Sequence, residues 1–284
     1  MDRILINTSA ELSVTFYEGE TGTSADGTVS LTILGEDGST VVSATNATPA
    51  GTASPGVYTY TLAPRSELDV LTAHWTGEFG GTEESLETQV EIVGSHIASL
   101  SQIRAQDSLN NETKFPTAVL EMARNEATSL FESYCGRSFI LRYGRYVCDG
   151  NGTTQLILPH GDVQRLIGVT QDATTVTPST LKLARFGRIT KATAFAVGTD
   201  NVVVRYVYGT SVVPADIRRA FLTYVRYLLL DAYNRLPDRT LSYNADGMLV
   251  QLAQAGTHRP TGLPEVDAVL YRHRVPSTAI VGGL

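Results

Sequence analysis

Apolar residues recur along this chain with two different periods, and the change of period divides it. Over the first ninety or so residues the period is two. Leu12, Val14 and Phe16 alternate with Ser13, Thr15 and Tyr17, so successive side chains point to opposite faces of a strand. Val29, Leu31 and Ile33 repeat the pattern, and Gly35-Glu36-Asp37-Gly38 turns the chain back into Val41-Val42. Pro55-Gly56 punctuates before Tyr58, Tyr60 and Leu62. Leu71, Ala73 and Trp75 follow, then Gly80-Gly81 and a last run from Val90 to Val93.

From Phe115 the period becomes 3.6. Val119, Ala123, Ala127, Leu130, Phe131 and Tyr134 recur at steps of three and four and predict one apolar helix face. Pro116 suits the first turn, where its missing N–H is not needed, and Gly136 suits the left-handed position just past the end. Arg137-Ser138-Phe139 then lead into a strand, Ile140 to Val147. Ahead of this helix, Ser99 or Ser101 can cap a short one from Leu100 to about Ser108. Strand-like runs at 156–158, 166–169, 181–184 and 202–208 are divided by turn signals at Gly150-Asn151-Gly152 and His160-Gly161-Asp162. A second long helix opens at Pro214, with Asp216 in its first turn, where the dipole favours an acid. Ile217, Phe221, Tyr224, Val225, Leu228 and Ala232 mark its buried face, and Pro237 ends it. A short helix over about 265–273 precedes the tail, Val275 to Leu284.

These elements predict two modules. Residues 1–95 read as an all-β sandwich of immunoglobulin type, although no Cys pair brackets Trp75 as in antibody domains. Residues 99–273 read as α+β, with long helices flanking a small antiparallel sheet, and residues 274–284 as an extended tail. Gly94-Ser95 breaks the last strand and marks the join. Charge sharpens the division. Residues 1–97 hold 14 acidic and 2 basic side chains, a net of −12, whereas 98–284 hold 15 and 20, a net of +5. Such asymmetry signals modules with different surroundings.

Composition narrows the class. Apolar content of 42% and a mean hydropathy near zero describe a globular protein that can bury a sizeable core. No apolar run approaches the roughly 20 residues of a membrane span, and Met1-Asp2-Arg3 does not open a secretory signal. Cys135 and Cys148 are too few for a disulfide framework and read as buried thiols. Glu78, Glu83, Glu84, Glu87 and Glu91 could be read as a calcium cluster, but their spacing does not match an EF-hand loop. A solvated, self-repelling edge accounts for them better.

Catalytic motifs are missing from the sequence: no phosphate loop, no G-x-G-x-x-G, no G-x-S-x-G and no H-E-x-x-H. The five histidines are scattered. His160, Asp162 and Ser138 could meet as a triad, since triads ignore chain order, but Pro159-His160-Gly161-Asp162 reads first as a turn. No catalytic group, cofactor or metal ligand is therefore assigned. Two basic groups remain: Arg185, Arg188 and Lys191 in one strand-turn region, and Arg218, Arg219 and Arg226 on the second long helix. Either group could touch phosphates or form salt bridges between subunits.

Several stretches carry a resemblance. They are the helix ending Phe131-Glu132-Ser133-Tyr134-Cys135-Gly136-Arg137-Ser138-Phe139, Leu156-Ile157-Leu158-Pro159-His160 leading to Val163 and Val169, Val213-Pro214-Ala215-Asp216-Ile217, and Leu263-Pro264-Glu265-Val266-Asp267-Ala268-Val269-Leu270. In this order the second module resembles the head-tail connector proteins of tailed bacteriophages, also called adaptor or head-completion proteins. The resemblance implies a homo-oligomeric ring, a dodecamer, in the virion neck between the portal and the next neck or tail protein. Packaged double-stranded DNA would run through the lumen without sequence-specific contact, and the chain would be made in the host bacterial cytoplasm. It further implies that the C-terminal segment docks against the portal, with Tyr271, Arg272, Arg274, Val275, Ile280, Val281 and Leu284 as contacts. That segment would be mobile in the isolated chain and ordered in the neck. The sandwich is an addition to the minimal family pattern. The alternative is a virion-surface or cell-surface binding protein in which the sandwich is the working part, and an enzyme of unrecognised type is a third reading.

Overall fold

A computed structural model describes residues 1–52, 54–231, 242–245, 248–251 and 260–275. The N-terminal region is almost entirely β. Its strands are β1 (Asp2–Leu5), β2 (Ala10–Thr15), β3 (Tyr17–Glu18), β4 (Thr21–Gly22), β5 (Ser30–Gly35), β6 (Thr40–Asn46), β7 (Thr48–Pro49), β8 (Val57–Leu62), β9 (Asp69–Phe79) and β10 (Thr82–Val93). They form a five-stranded sheet in the order β1-β10-β9-β5-β6, a three-stranded sheet β2-β8-β7 and a two-stranded piece β3-β4. The alternation explains the burial. Leu12, Val14, Tyr58 and Leu62 from the smaller sheet share one core with Leu31, Ile33, Leu71, Ala73, Trp75 and Val90 from the larger. Trp75 is fully buried, and its indole N–H donates to Thr88 Oγ1 at 2.9 Å, so its one polar atom is satisfied.

After β10 come α1 (Leu100–Arg104) and α2 (Thr117–Cys135). Then follow β11 (Arg142–Gly150), β12 (Gln155–Ile157), β13 (Val163–Gln171), β14 (Thr174–Val176), β15 (Lys182–Leu183), β16 (Arg188–Thr190) and β17 (Gly198–Tyr208). The chain continues through α3 (Ala215–Asp231), the hairpin β18 (Ser242–Ala245) and β19 (Met248–Gln251), and α4 (Pro264–His273). A four-stranded sheet runs β11-β17-β13-β14, and a three-stranded one runs β12-β16-β15. Val169, Val202, Val204, Ile189 and Phe195 build their common core.

Two compact units result, Met1–Ser95 with Leu141–Tyr208, and His96–Ile140 with Gly209–Leu284. The division follows secondary structure more than chain order. Strands on either side of residues 96–140 share the first unit, where a small cluster of Leu68, Tyr143 and Val207 is lined by Ile6, Val70 and Leu141. The helices make up most of the second.

At 19, 17 and 10 residues, α2, α3 and α4 are of ordinary length rather than long. The buried face of α2 is Leu120, Ala123, Ala127, Phe131 and Cys135. Ala123, Ala127 and Phe131 are buried as expected, but Val119 is exposed and Leu130 and Tyr134 are half-buried, because the stripe continues through Leu120 and Cys135 instead. Arg124, Thr128 and Glu132 flank it and are buried too. Phe131 is enclosed by Phe221, edge-on at 5.5 Å, and Tyr224, stacked at 6.0 Å. On α3 the buried residues include Ile217, Phe221, Tyr224, Val225 and Leu229, with Leu228 half-buried. Ala232 and Pro237 lie outside the described residues. The first short helix stops at Arg104, well before Ser108, and opens with a full capping box between Ser99 and Gln102.

The acidic run also differs from expectation. Glu78, Glu83, Glu84 and Glu87 are exposed, but Glu91 is 1% exposed. Val90 and Ile92 flank it, and its carboxylate receives Arg142 Nε at 2.5 Å, Arg142 Nη2 at 3.0 Å and Arg3 Nε at 3.3 Å. It is the anchor of a buried ion cluster, not part of a solvated edge.

Candidate functional site

The C-terminal end of α2 is the best-tied part of the second unit. Gly136 takes φ +65° and its N–H bonds Glu132 O at 2.9 Å, a left-handed stop that glycine enters without steric cost. Ser138, buried beyond the turn, donates to Glu132 Oε1 at 2.6 Å and accepts from Ile140 N–H at 3.3 Å. The Cys135 thiol donates to Leu270 O at 3.4 Å, and Val275 N–H donates to Cys135 O at 2.8 Å. Thus the last described residue is fastened to the end of α2. Phe139 meets the His273 ring edge-on at 6.0 Å, and His273 Nε2 lies 2.8 Å from Asp216 Oδ2 on the first turn of α3. That hydrogen bond holds the Asp216 carboxyl below its usual range.

None of these groups is set up as a nucleophile. Burial pushes the Cys135 thiol up to about 12. Cys148, expected to be buried, is only half-buried on β11, and partial burial beside Asp149 and Asp200 raises it as well, so neither supplies a ready thiolate. The Ser138 hydroxyl is held by Glu132. His160 is occupied elsewhere. Its Nδ1 lies 2.7 Å from the Tyr206 hydroxyl and its ring stacks on Tyr208 at 3.7 Å, while burial depresses its pKa. Arg142 sits over the other partner, 5.8 Å from the Tyr208 ring centroid. Glu91, Arg142, Tyr208, His160 and Tyr206 therefore form one continuous polar and aromatic chain inside the first unit.

The basic residues fall into the two units. On α3, Arg218 Nε donates to Ile97 O at 3.3 Å, and Arg226 Nε donates to Asp107 O at 3.0 Å. These two hold the segment around α1, and Arg219 alone of the three is exposed. In the first unit Lys191 Nζ bonds Gln171 Oε1 at 2.6 Å and sits 4.4 Å over the Phe195 ring. Arg185 and Arg188 are exposed on either side of a tight turn. At the end of α4, Tyr271 is 69% exposed and Arg272 is exposed 3.8 Å from Asp216. Arg274 lies 5.3 Å over the Tyr134 ring, and Val275 is at the surface. Ile280, Val281 and Leu284 lie outside the described residues.

Sequence reasoning missed three features. Glu91 carried a signal, a lone charge inside the apolar run Val90 to Val93. The His160–Tyr206–Tyr208 stack carried none, since His160 and Tyr206 are 46 residues apart. Phe186 stood between two arginines and before a glycine, the mark of an exposed turn. Among the described residues, no group of three or more His, Cys, Asp or Glu is arranged to hold a metal, and no helix is long and apolar enough to cross a membrane.

Comparison with known proteins adds the context. No curated protein matches the chain. Among solved structures, a DUF4785 family protein from Legionella pneumophila is similar over 73% of this chain at 9% identity and a TM-score of 0.24. The similar region spans 45% of that protein, under half its length. The model of the head completion protein family matches residues 96–242, just over half of the chain. That span runs from the segment before α1 through α2, the sheets and α3. The chain belongs to the head completion protein family, a structural family of the bacteriophage virion at the head–tail junction.

Proposed function

We propose that this protein forms the adaptor ring of the phage neck, a dodecamer seated between the portal and the next neck or tail protein, with the packaged duplex passing through its lumen. The family match over residues 96–242 carries this reading. A closed ring needs head-to-tail interfaces and no reacting group, and Cys135, Ser138, Asp216, Arg218, Arg226 and His273 are each bonded within the fold. A conduit also must not grip its cargo, because each neutralised phosphate adds affinity that slows transit. The +5 balance of residues 98–284 fits that requirement.

Residues 1–95 are the added immunoglobulin-like module and lie outside the ring, because a net of −12 over residues 1–97 is poorly placed against DNA phosphates. The main core of that module draws on residues between Ile4 and Ile92, while Leu68 and Glu91 also pack with Tyr143 and Arg142 of the same compact unit. Tyr271, Arg272, Arg274 and Val275 begin the portal-facing segment that Ile280, Val281 and Leu284 continue. The test is electron microscopy of purified particles with the chain tagged at its N-terminus. Density for the chain as a ring beneath the portal, with the tag peripheral, is the expected result. A tag in the DNA channel, or the chain on the capsid or tail fibre alone, overturns the reading.

A further inference from the structure

The first unit exposes a face that its own fold leaves unused. In the three-stranded sheet β12-β16-β15, Leu156, Leu183 and Ile189 face inward. Ile157 and Arg188, directly opposite each other across β12 and β16, point out with Lys182. The turn from β15 to β16 adds Arg185 and Phe186. Phe186 is 72% exposed and Ile157 53%. Phe186 also takes φ +61°, a conformation a bulky side chain keeps only when its surroundings enforce it. Enforcement is visible. Ala184 N–H bonds Arg188 O at 2.7 Å, Leu158 N–H bonds Gly187 O at 2.9 Å, and a Cβ at Gly187 would come within 2.3 Å of His160 O. The turn thus holds a phenyl ring out in water between two guanidiniums. Among the described residues none of Lys182, Arg185 and Arg188 has an ion-pair partner.

Two exposed apolar groups gain nothing against a phosphate backbone, whereas Phe and Arg together are what buried protein contacts select. The complementary surface is on the same chain. β1 pairs with β10 only at Val90–Val93, so among the described residues the stretch Thr82–Gln89 has β9 on one side and an open edge on the other. That edge carries Glu83, Glu84 and Glu87 with Leu86 exposed among them. Glu87 Oε1 lies 3.0 Å from His74 Nδ1, while Glu83 stands directly opposite Glu78, a like-charge pairing that costs stability unless a cation covers it.

We propose that the Arg185-Phe186-Gly187-Arg188 turn and the outer face of β16 of one subunit dock on the acidic open edge of β10 in a second copy of this chain. The contact joins two different surfaces, so it repeats head to tail, as a ring requires. The inference rests on the ring reading above and names a contact between neighbouring subunits at its periphery.

The experiment supplies variants to DNA-filled heads lacking this chain and counts copies bound per head, with thermal melting as the control for folding. Arg185→Glu with Arg188→Glu, and separately Glu83→Arg with Glu87→Arg, should melt with the parent yet lower the copies per head about tenfold or more, since juxtaposed like charges exclude a partner. Combining all four substitutions should restore assembly. Phe186→Gly relieves the left-handed conformation, so it should melt no lower than the parent while assembling more weakly. Either charge reversal assembling like the parent, or the fourfold variant failing although folded, overturns the docking. So does loss of duplex binding at low salt in the arginine variant with copy number unchanged, which would assign the turn to DNA. A parent chain present as a single copy per head removes the ring reading and this inference with it; a ring that survives both reversals removes the inference alone.

Discussion

Glu91→Gln tests the buried ion cluster with almost no change of volume. The carboxylate is 1% exposed, and its partners Arg3 and Arg142 have side chains 7% and 23% exposed. Removing the charge leaves two guanidiniums facing each other across a neutral amide. Breaking a buried pair in this way costs about 3–5 kcal/mol. Two features bring the value to the lower end: Arg142 keeps part of its hydration, and it keeps the Tyr208 ring, a contact of about 0.5–1 kcal/mol at a partly exposed site. A loss of about 3 kcal/mol follows, and in a unit of this size each kcal/mol lowers Tm by about 2–4 °C, so the transition should fall by about 6–12 °C. Thermal unfolding at neutral pH reads the shift, and raising the salt should restore little of it, since buried pairs are weakly screened. Adding Arg142→Met should cost less than the sum of the single changes, by about 1 kcal/mol or more, if the two groups act together. A Glu91→Gln chain melting within about 1 kcal/mol of the parent, or strict additivity, would refute the reasoning.

Three further outcomes can be measured. Phe131→Ala should cost about 3–5 kcal/mol as a large-to-small change in a closed site, because Phe131 is fully buried against Phe221 and Tyr224; melting with the parent would mean that α2 does not pack as described. Burial depresses His160, so the folded chain takes up this proton less readily than the unfolded one. The stabilisation is therefore complete above the ordinary value of 6.5 and declines as pH falls below it; Asp216, held low, is lost only below 3.8, so a His160→Gln chain whose melting from about pH 7 to 5 falls as steeply as the parent's would exclude His160 as the cause. Deleting residues 275–284 should lower stability by no more than about 1 kcal/mol, the worth of the Val275–Cys135 hydrogen bond, yet stop the chain from joining DNA-filled heads; stable tailed particles made with the truncated chain would contradict the portal contact.

What could be read from the sequence was whatever one element decides by itself. Alternation in Leu12-Val14-Phe16 and Leu71-Ala73-Trp75 fixes an inward face within a single strand, and those residues are buried. Gly136 and Pro116 mark the ends of α2 through local sterics alone. Which of Val119 and Leu120 faces inward on α2 was not legible, because the two are equally apolar and only packing against the neighbouring helices α1, α3 and α4 selects between them. The grouping of β11–β17 with the N-terminal strands is non-local as well, since it depends on pairings such as Gly94 N–H to Leu141 O, which reach across α1 and α2. Glu91 shows the same limit. Its burial could be suspected from its apolar neighbours, but its partners Arg3 and Arg142 stand 88 and 51 residues away.

The chemically suggestive residues of this chain sort by whether the fold itself occupies them. Ser138, His160, Arg218 and Arg226 each look like candidates for chemistry or phosphate contact in the sequence, and each has an internal partner at hydrogen-bonding distance. Leaving a buried polar group without such a partner costs about 1–3 kcal/mol, so these bonds are first a condition of folding. Lys182, Arg185, Phe186, Arg188 and Tyr271 differ: their side chains are exposed, and folding gives no reason for a phenyl ring held in water at a left-handed backbone position. In a protein whose family works at a junction between other proteins, uncovered apolar and cationic groups of this kind are where association must draw its free energy, because hot-spot residues are those still free to be desolvated by a partner. Function in this chain is therefore to be sought on the surfaces its own fold leaves uncovered.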